Sequence, residues 1–177
     1  MHRFRVIPQY TVEDLEQWEG KWELWDGVPI AMAPSPFIPH GKLAGLLIHL
    51  LIDQMNRQAC DHCHLLTEIQ WEISEDTAPR PDISIVCGDL PERFIEDAPV
   101  LIVEVLSDST NLIDRNVKRD AYAEAGVKHY LLADPKTGRV FDGYRPAAGR
   151  GEAQEHLLPL DDGCVVRVPA VVPMRAG

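Results

Sequence analysis

From residue 41 to about residue 57 the apolar positions Leu43, Leu46, Leu47, Leu50, Leu51 and Met55 recur at three- and four-residue steps. That spacing predicts a helix with one buried face. Residues 65–73 alternate instead. Leu65, Thr67, Ile69, Trp71 and Ile73 fall on one side, and Leu66, Glu68, Gln70 and Glu72 on the other, as in a strand covered mainly on one face. Another strand is predicted over residues 82–86, after the stiff entry Pro79-Arg80-Pro81. Residues 100–106 are apolar on both faces except at Glu104, the pattern of a central strand covered from both sides.

Beyond that strand, Ser107 and Ser109 are placed to cap a crossover helix, with Asn111 a further N-cap candidate; the helix runs to about Ala125 and Gly126 closes it. Residues 129–133 form the next strand, and so long a crossover is what a parallel pair requires. Asp134-Pro135-Lys136-Thr137-Gly138 reads as a hairpin loop leading into residues 139–144, and residues 157–160 and 164–168 as edge strands. Upstream, Thr11 with Asp14 resembles a capping box opening a helix to about Trp18. Residues 21–24 and 28–32 flank Trp25-Asp26-Gly27, a hairpin signal, and the proline-rich residues 33–39 form a loop. These elements predict an α/β fold: a mixed central sheet with helices against it and an N-terminal hairpin extension, in one domain spanning residues 1–177. A chain of this length buries roughly 70% of the surface its unfolded form exposes.

Charge narrows the partners. Lys and Arg number 17 against 28 Asp and Glu, a net charge of −11, which disfavours nonspecific attraction to nucleic acid or anionic membrane. The leucine-rich run is too short to span a bilayer, and Met1-His2-Arg3-Phe4-Arg5 is followed by Pro8, Gln9, Glu13 and Asp14 rather than by an apolar stretch. A cytoplasmic protein is expected, with reduced thiols at Cys60, Cys63, Cys87 and Cys164.

Glu104 is the anomaly that points to chemistry. A carboxylate inside a central strand carries a large desolvation cost unless a cation or hydrogen bonds compensate it. Asp82 opens a neighbouring strand, and two converging carboxylates repel unless a divalent ion lies between them; hard oxygen donors with retained waters suit magnesium. Lys118, on the crossover helix whose apolar stripe is Leu112, Ile113, Val117, Ala121 and Ala125, borders the buried face. The same residues also admit a purely structural reading, in which Asp82 caps a turn, Glu104 pairs with an arginine and Lys118 contacts only Asp114.

The ordered set Arg80-Pro81-Asp82, Val103-Glu104-Val105-Leu106-Ser107 with Ser109-Thr110, Asp114, Lys118, Tyr122, Gly126-Val127 and His129-Tyr130-Leu131 through Asp134-Pro135 resembles the Uma family of putative restriction endonucleases, a branch of the PD-(D/E)XK nuclease superfamily. Trp25-Asp26-Gly27, Pro34-Ser35-Pro36 and His40-Gly41 extend the similarity, which covers about residues 13–144. The resemblance implies a restriction-endonuclease-like fold. It implies metal-assisted hydrolysis of phosphodiester bonds in DNA, with Asp82 and Glu104 holding magnesium, manganese being the alternative. The lysine of the triplet is replaced by Leu106, and Lys118 on the following helix matches the displaced lysine. Glu68 is a candidate third acid at the rim, and His40 a candidate contact to phosphate or a metal-bound water.

A rival of another class is a catalytically degenerate relative that serves as a binding or assembly module, motivated by the lost triplet lysine and the net charge. A third is a metalloprotein built on Cys60-Asp61-His62-Cys63-His64, which spells a haem attachment signature and offers zinc ligands. Closed zinc sites usually draw a second ligand pair from further along the chain, so a helix-to-strand loop with partly buried thiols is the expectation for this segment. His49, within the leucine-rich helix, is expected to pack or face the surface. Trp18, Trp22 and Trp25 are expected in core or dimer packing. Edge strands and small size predict a homodimer.

Overall fold

The computed structural model describes residues 8–32, 37–107, 114–145, 154–161 and 163–174. Pro34-Ser35-Pro36, Ser109, Thr110, Asn111, Leu112 and Ile113 lie outside the described residues.

The capping box forms: the Thr11 hydroxyl accepts the Asp14 N–H, and Asp14 Oδ2 accepts the Thr11 N–H at 2.9 Å. Helix α1 (Val12–Leu15) is shorter than expected and ends before Trp18. Strands β1 (Trp22–Trp25) and β2 (Val28–Ala31) pair antiparallel around Asp26 and Gly27, both at positive φ, as a tight two-residue hairpin demands. Helix α2 (Ile38–Arg57) begins earlier than residue 41, with Pro39 in its first turn, where a missing N–H costs nothing. It buries Leu43, Leu47, Leu51 and Met55; His49 faces solvent.

Five strands make the central sheet, in the order β3-β4-β5-β6-β7: β3 (Cys63–Leu66), β4 (Ile83–Cys87), β5 (Leu101–Val105), β6 (His129–Ala133) and β7 (Val140–Asp142). Only β5 and β6 run parallel; the other neighbours are antiparallel. Alternation sorts the two faces. Ile83, Ile85, Leu101, Val103, Val105, Leu131 and Ala133 pack beneath α2. Val86, Ile102, Leu106, Tyr130 and Leu132 pack on the opposite side with Trp25, Trp71 and Tyr122. Glu104, between Val103 and Val105, shares this second face with Ile102 and Leu106.

The strand expected over residues 65–73 is shorter and starts earlier. Its pairing with β4 ends at Leu66 opposite Ser84, and beyond it the chain keeps only the bonds that the proline carbonyls accept, from the Glu68 N–H to Pro81 at 3.1 Å and from the Trp71 N–H to Pro79 at 2.9 Å. Glu68 then turns at φ 53°, and Trp71 bridges to Ile95 instead. The crossover is also different. A π-helical turn (Asp114–Lys118) precedes a short helix α3 (Arg119–Glu124). The wider turn shifts the helical register, so Val117, expected inside, is 48% exposed, whereas Lys118 is 4% exposed.

Strands β8 (Glu155–Pro159) and β9 (Val165–Pro169) form a hairpin packed on α2. Gln54 of α2 and Gln58 at its C-cap pair with β9 as a neighbouring strand would: Gln54 exchanges two hydrogen bonds with the Arg167 backbone, both 2.8 Å, and Gln58 two with that of Val165 at 2.8 and 3.1 Å. Trp25 lies in the core, and Trp18 stacks edge-on with Tyr10 and Trp22 at 4.8 and 5.3 Å.

The thiol expectation is corrected. Cys60 is joined to Cys164 and Cys63 to Cys87, leaving no free cysteine. Cys63 and Cys87 are direct cross-strand partners on β3 and β4, a proximity set by register and invisible in the sequence. Among the described residues, no helix is long and apolar enough to cross a membrane.

Candidate active site

Register brings the two predicted acids together. Ile83 faces Val103 across β4 and β5, so Asp82, one residue earlier, stands beside Glu104 on the same face of the sheet. The two residues interlock. Asp82 Oδ2 accepts the Val105 N–H at 2.7 Å, and Glu104 Oε2 accepts the Asp82 N–H at 3.3 Å. Glu104 is 3% exposed, while the Asp82 side chain, at 16%, reaches the rim.

Lys118 supplies the positive charge that a buried Glu104 requires. The π turn directs it inward, and its Nζ lies 2.9 Å from Glu104 Oε1. The same Nζ lies 2.9 Å from Glu23 Oε1. Tyr122, one turn beyond Lys118, donates its hydroxyl to Glu104 Oε1 at 2.9 Å. Burial above all, and then the Glu104 and Glu23 charges, hold this phenol well above its ordinary pKa. It therefore stays a donor.

Glu23 is the residue that sequence reasoning missed. It is 5% exposed on β1, accepts the Arg80 N–H at 3.0 Å and the Trp25 indole N–H at 3.2 Å, and shares Lys118 with Glu104. One signal was present: Trp22-Glu23-Leu24-Trp25 places a single acid among large apolar residues, the same pattern that singled out Glu104.

His40 comes from the first turn of α2. Its Nε2 lies 3.2 Å from Asp82 Oδ2. The hydrogen bond to Asp82 raises the imidazole pKa above its ordinary value; burial opposes this, and the Asp82 charge, the Val105 backbone and the Glu68 charge add to it. Glu68 is thus near enough to act on His40 electrostatically. Its own carboxylate is held by Lys21 at the exposed rim. The structure accordingly brings Asp82, Glu104, Lys118 and His40 into one cluster, with Glu68 at its edge.

The donor set suits a hard divalent ion. Asp82 and Glu104 offer only carboxylate oxygens, and magnesium, which keeps several waters, binds through one or two such groups. A wide cleft of about 890 Å³ lies elsewhere, between α1 and residues 91–96. Its lining carries Glu13, Glu16, Glu72, Glu75, Glu92 and Glu96 against the single cation Arg93, an excess that would repel a phosphate, so the acid and lysine cluster is the stronger candidate.

The class that the fold defines is a mixed α/β sheet of the nuclease-like kind, with Asp82 just ahead of β4, Glu104 within β5 and Lys118 on the crossover that follows. The chain belongs to the Uma2 family, described as "Putative restriction endonuclease", whose profile it matches over residues 12–175. It is similar in fold to a crystal structure described as a putative nuclease of the DUF820 family from Anabaena variabilis, with 18% identity, a TM-score of 0.67, and coverage of 87% of this chain and 90% of that one. No curated protein matches the chain.

Proposed function

We propose that this chain is a one-domain, magnesium-dependent endonuclease that hydrolyses phosphodiester bonds in DNA, with manganese able to replace magnesium. The observation carrying this reading is the Asp82 and Glu104 pair on one sheet face with Lys118 Nζ 2.9 Å from Glu104. A bound divalent ion would polarise the phosphate and lower the pKa of its water. Asp82 and Glu104 serve as its ligands, not as nucleophiles. Lys118 orients the attacking water or steadies phosphate charge as it develops. Glu23 and Tyr122 hold Lys118 and Glu104 in place. His40, protonated more readily beside Asp82, faces the phosphate from the rim, where Glu68 is the third acid.

The test is cleavage of plasmid and oligonucleotide DNA with and without magnesium. Wild type is expected to cleave only with the metal, and Asp82→Asn and Glu104→Ala to lose that cleavage. Equal residual cleavage by purified wild type and Glu104→Ala removes the proposal.

One observation favours a second reading, a non-catalytic binding or assembly module: Lys118 is already shared between two buried carboxylates, as in a structural ion pair. Isothermal calorimetry separates the two. Absence of magnesium binding at millimolar concentrations, with a stable oligomer in sedimentation, supports the module over the enzyme.

A further inference from the structure

At the other end of β4 from Asp82 lies a group the nuclease reading does not use. His62 immediately precedes β3, Cys63 opens it, and Cys87 closes β4 directly opposite Cys63. One donor atom from each of the three lies within 4.8 Å of the others. The His62 carbonyl accepts the Gly88 N–H at 2.8 Å, which pins the turn carrying the imidazole, and Asp161 Oδ2 lies 3.9 Å from His62 Nε2. From sequence alone, Cys60-Asp61-His62-Cys63-His64 lacked a ligand from further along the chain. The fold supplies it as Cys87, and it assigns Cys60 to a different partner, Cys164.

We propose that His62, Cys63 and Cys87 form a zinc site in the dithiol form of the chain, so that this corner of the sheet is closed by a disulfide under oxidising conditions and by a metal under reducing ones. Two sulfurs and an imidazole suit borderline-soft zinc rather than magnesium, and only thiolates ligate. The balance is simple. Two molecules of a small monothiol give two electrons and two protons to the Cys63–Cys87 bond and end joined as their own disulfide. Cys63 and Cys87 are left as thiols, and zinc capture then releases two protons. Asp161 is placed to orient the His62 ring or to complete the ligand set. Cys87 lies five residue steps along β4 from Asp82, about 17 Å at ~3.3 Å per residue, so the site is distinct from the acid cluster.

The experiment titrates zinc into the full chain before and after reduction by a phosphine, against a chromophoric chelator, and repeats the titration with cobalt to read the thiolate-to-metal charge-transfer band. Expected is one zinc per reduced chain, none per oxidised chain, and a thiolate band with cobalt. Cys87→Ser and His62→Ala should each weaken binding about tenfold or more, whereas the Cys60→Ser, Cys164→Ser double variant should keep it. The cobalt band on wild type reads ligation even where a variant folds poorly. No zinc uptake by the reduced chain, uptake without a thiolate band, or uptake lost in the Cys60→Ser, Cys164→Ser variant but kept in Cys87→Ser, overturns the proposal.

Discussion

Lys118→Met is the sharpest perturbation of the acid cluster. Methionine keeps most of the apolar stem and removes the ammonium that sits 2.9 Å from both Glu23 and Glu104, which are 5% and 3% exposed. Removing one partner of a buried ion pair costs about 3–5 kcal/mol. Here two carboxylates lose the same cation, so the upper part of that range, about 4–5 kcal/mol, is expected. With a urea slope of about 2.5 kcal/mol per molar, the unfolding midpoint should fall by roughly 1.6–2 M. The measurement is urea unfolding followed by tryptophan fluorescence, in chelator and without reductant. A second substitution makes the reasoning sharper. In wild type, Glu104→Gln should cost about 1–3 kcal/mol, because it weakens the bonds to Lys118 and Tyr122. In the Lys118→Met background it removes one of two uncompensated charges and should stabilise the protein. That reversal of sign is a coupling between contacting residues. A midpoint shift under about 0.3 M for Lys118→Met, or additive effects in the double variant, would refute the idea that the lysine is what allows two acids inside the fold.

Three further outcomes are expected. Because Asp82 raises the His40 pKa above its ordinary 6.5, the stabilisation from this pair is present in full below that value and is lost as pH rises through the folded-state value. The difference in Tm between metal-free wild type and His40→Gln should therefore shrink from about pH 6 to about pH 9, and a difference that grows over that range contradicts the pairing. The Cys60–Cys164 bridge spans a sequence separation of 104 and the Cys63–Cys87 bridge one of 24, so loop-closure entropy assigns them about 4.8 and 3.5 kcal/mol. Cys164→Ser should lower the denaturation midpoint more than Cys87→Ser does, and equal midpoints would count against this account. Tyr122→Phe leaves the aromatic cluster intact and deletes one hydrogen bond to Glu104; it should cost about 1–2 kcal/mol in a thermal melt and, in the cleavage assay that tests the proposed function, lower the rate without changing its dependence on added metal.

The residues most legible in the sequence were those whose local pattern and tertiary environment agree. Leu43, Leu47, Leu51 and Met55 define a helical stripe and are the buried face of α2. Glu104 stands out because its neighbours are all apolar, and it is buried as that isolation implies. What the sequence concealed depends on contacts between distant segments. Glu23 reaches the cluster because the β1 and β2 hairpin docks against the sheet without pairing with it through the strand ladder, and no local period encodes that docking. Helical spacing already set Lys118 at the border of the buried face, but a π turn buries it fully and turns Val117, expected inside, out to solvent. The alternation over residues 65–73 was real, but the ladder stops at Leu66 and the chain turns at Glu68, φ 53°. The cysteine pairs follow from strand register and from the return of β9 across α2, neither of which is a property of the Cys-x-x-Cys spacing.

The side chains of Gln54 and Gln58 change how copies of this molecule can meet. A bare β9 would be a template on which another molecule's strand could add, the usual route from a small sheet to a continuous dimer or a fibre. Four hydrogen bonds from the glutamine side chains already occupy that template, and an incoming strand would have to displace them at about 0.5–1.5 kcal/mol apiece before gaining any of its own. Self-association of this protein, where it occurs, is therefore directed to faces and side chains rather than to backbone extension at β9, and trimming either glutamine would open a growth point that the folded chain keeps shut.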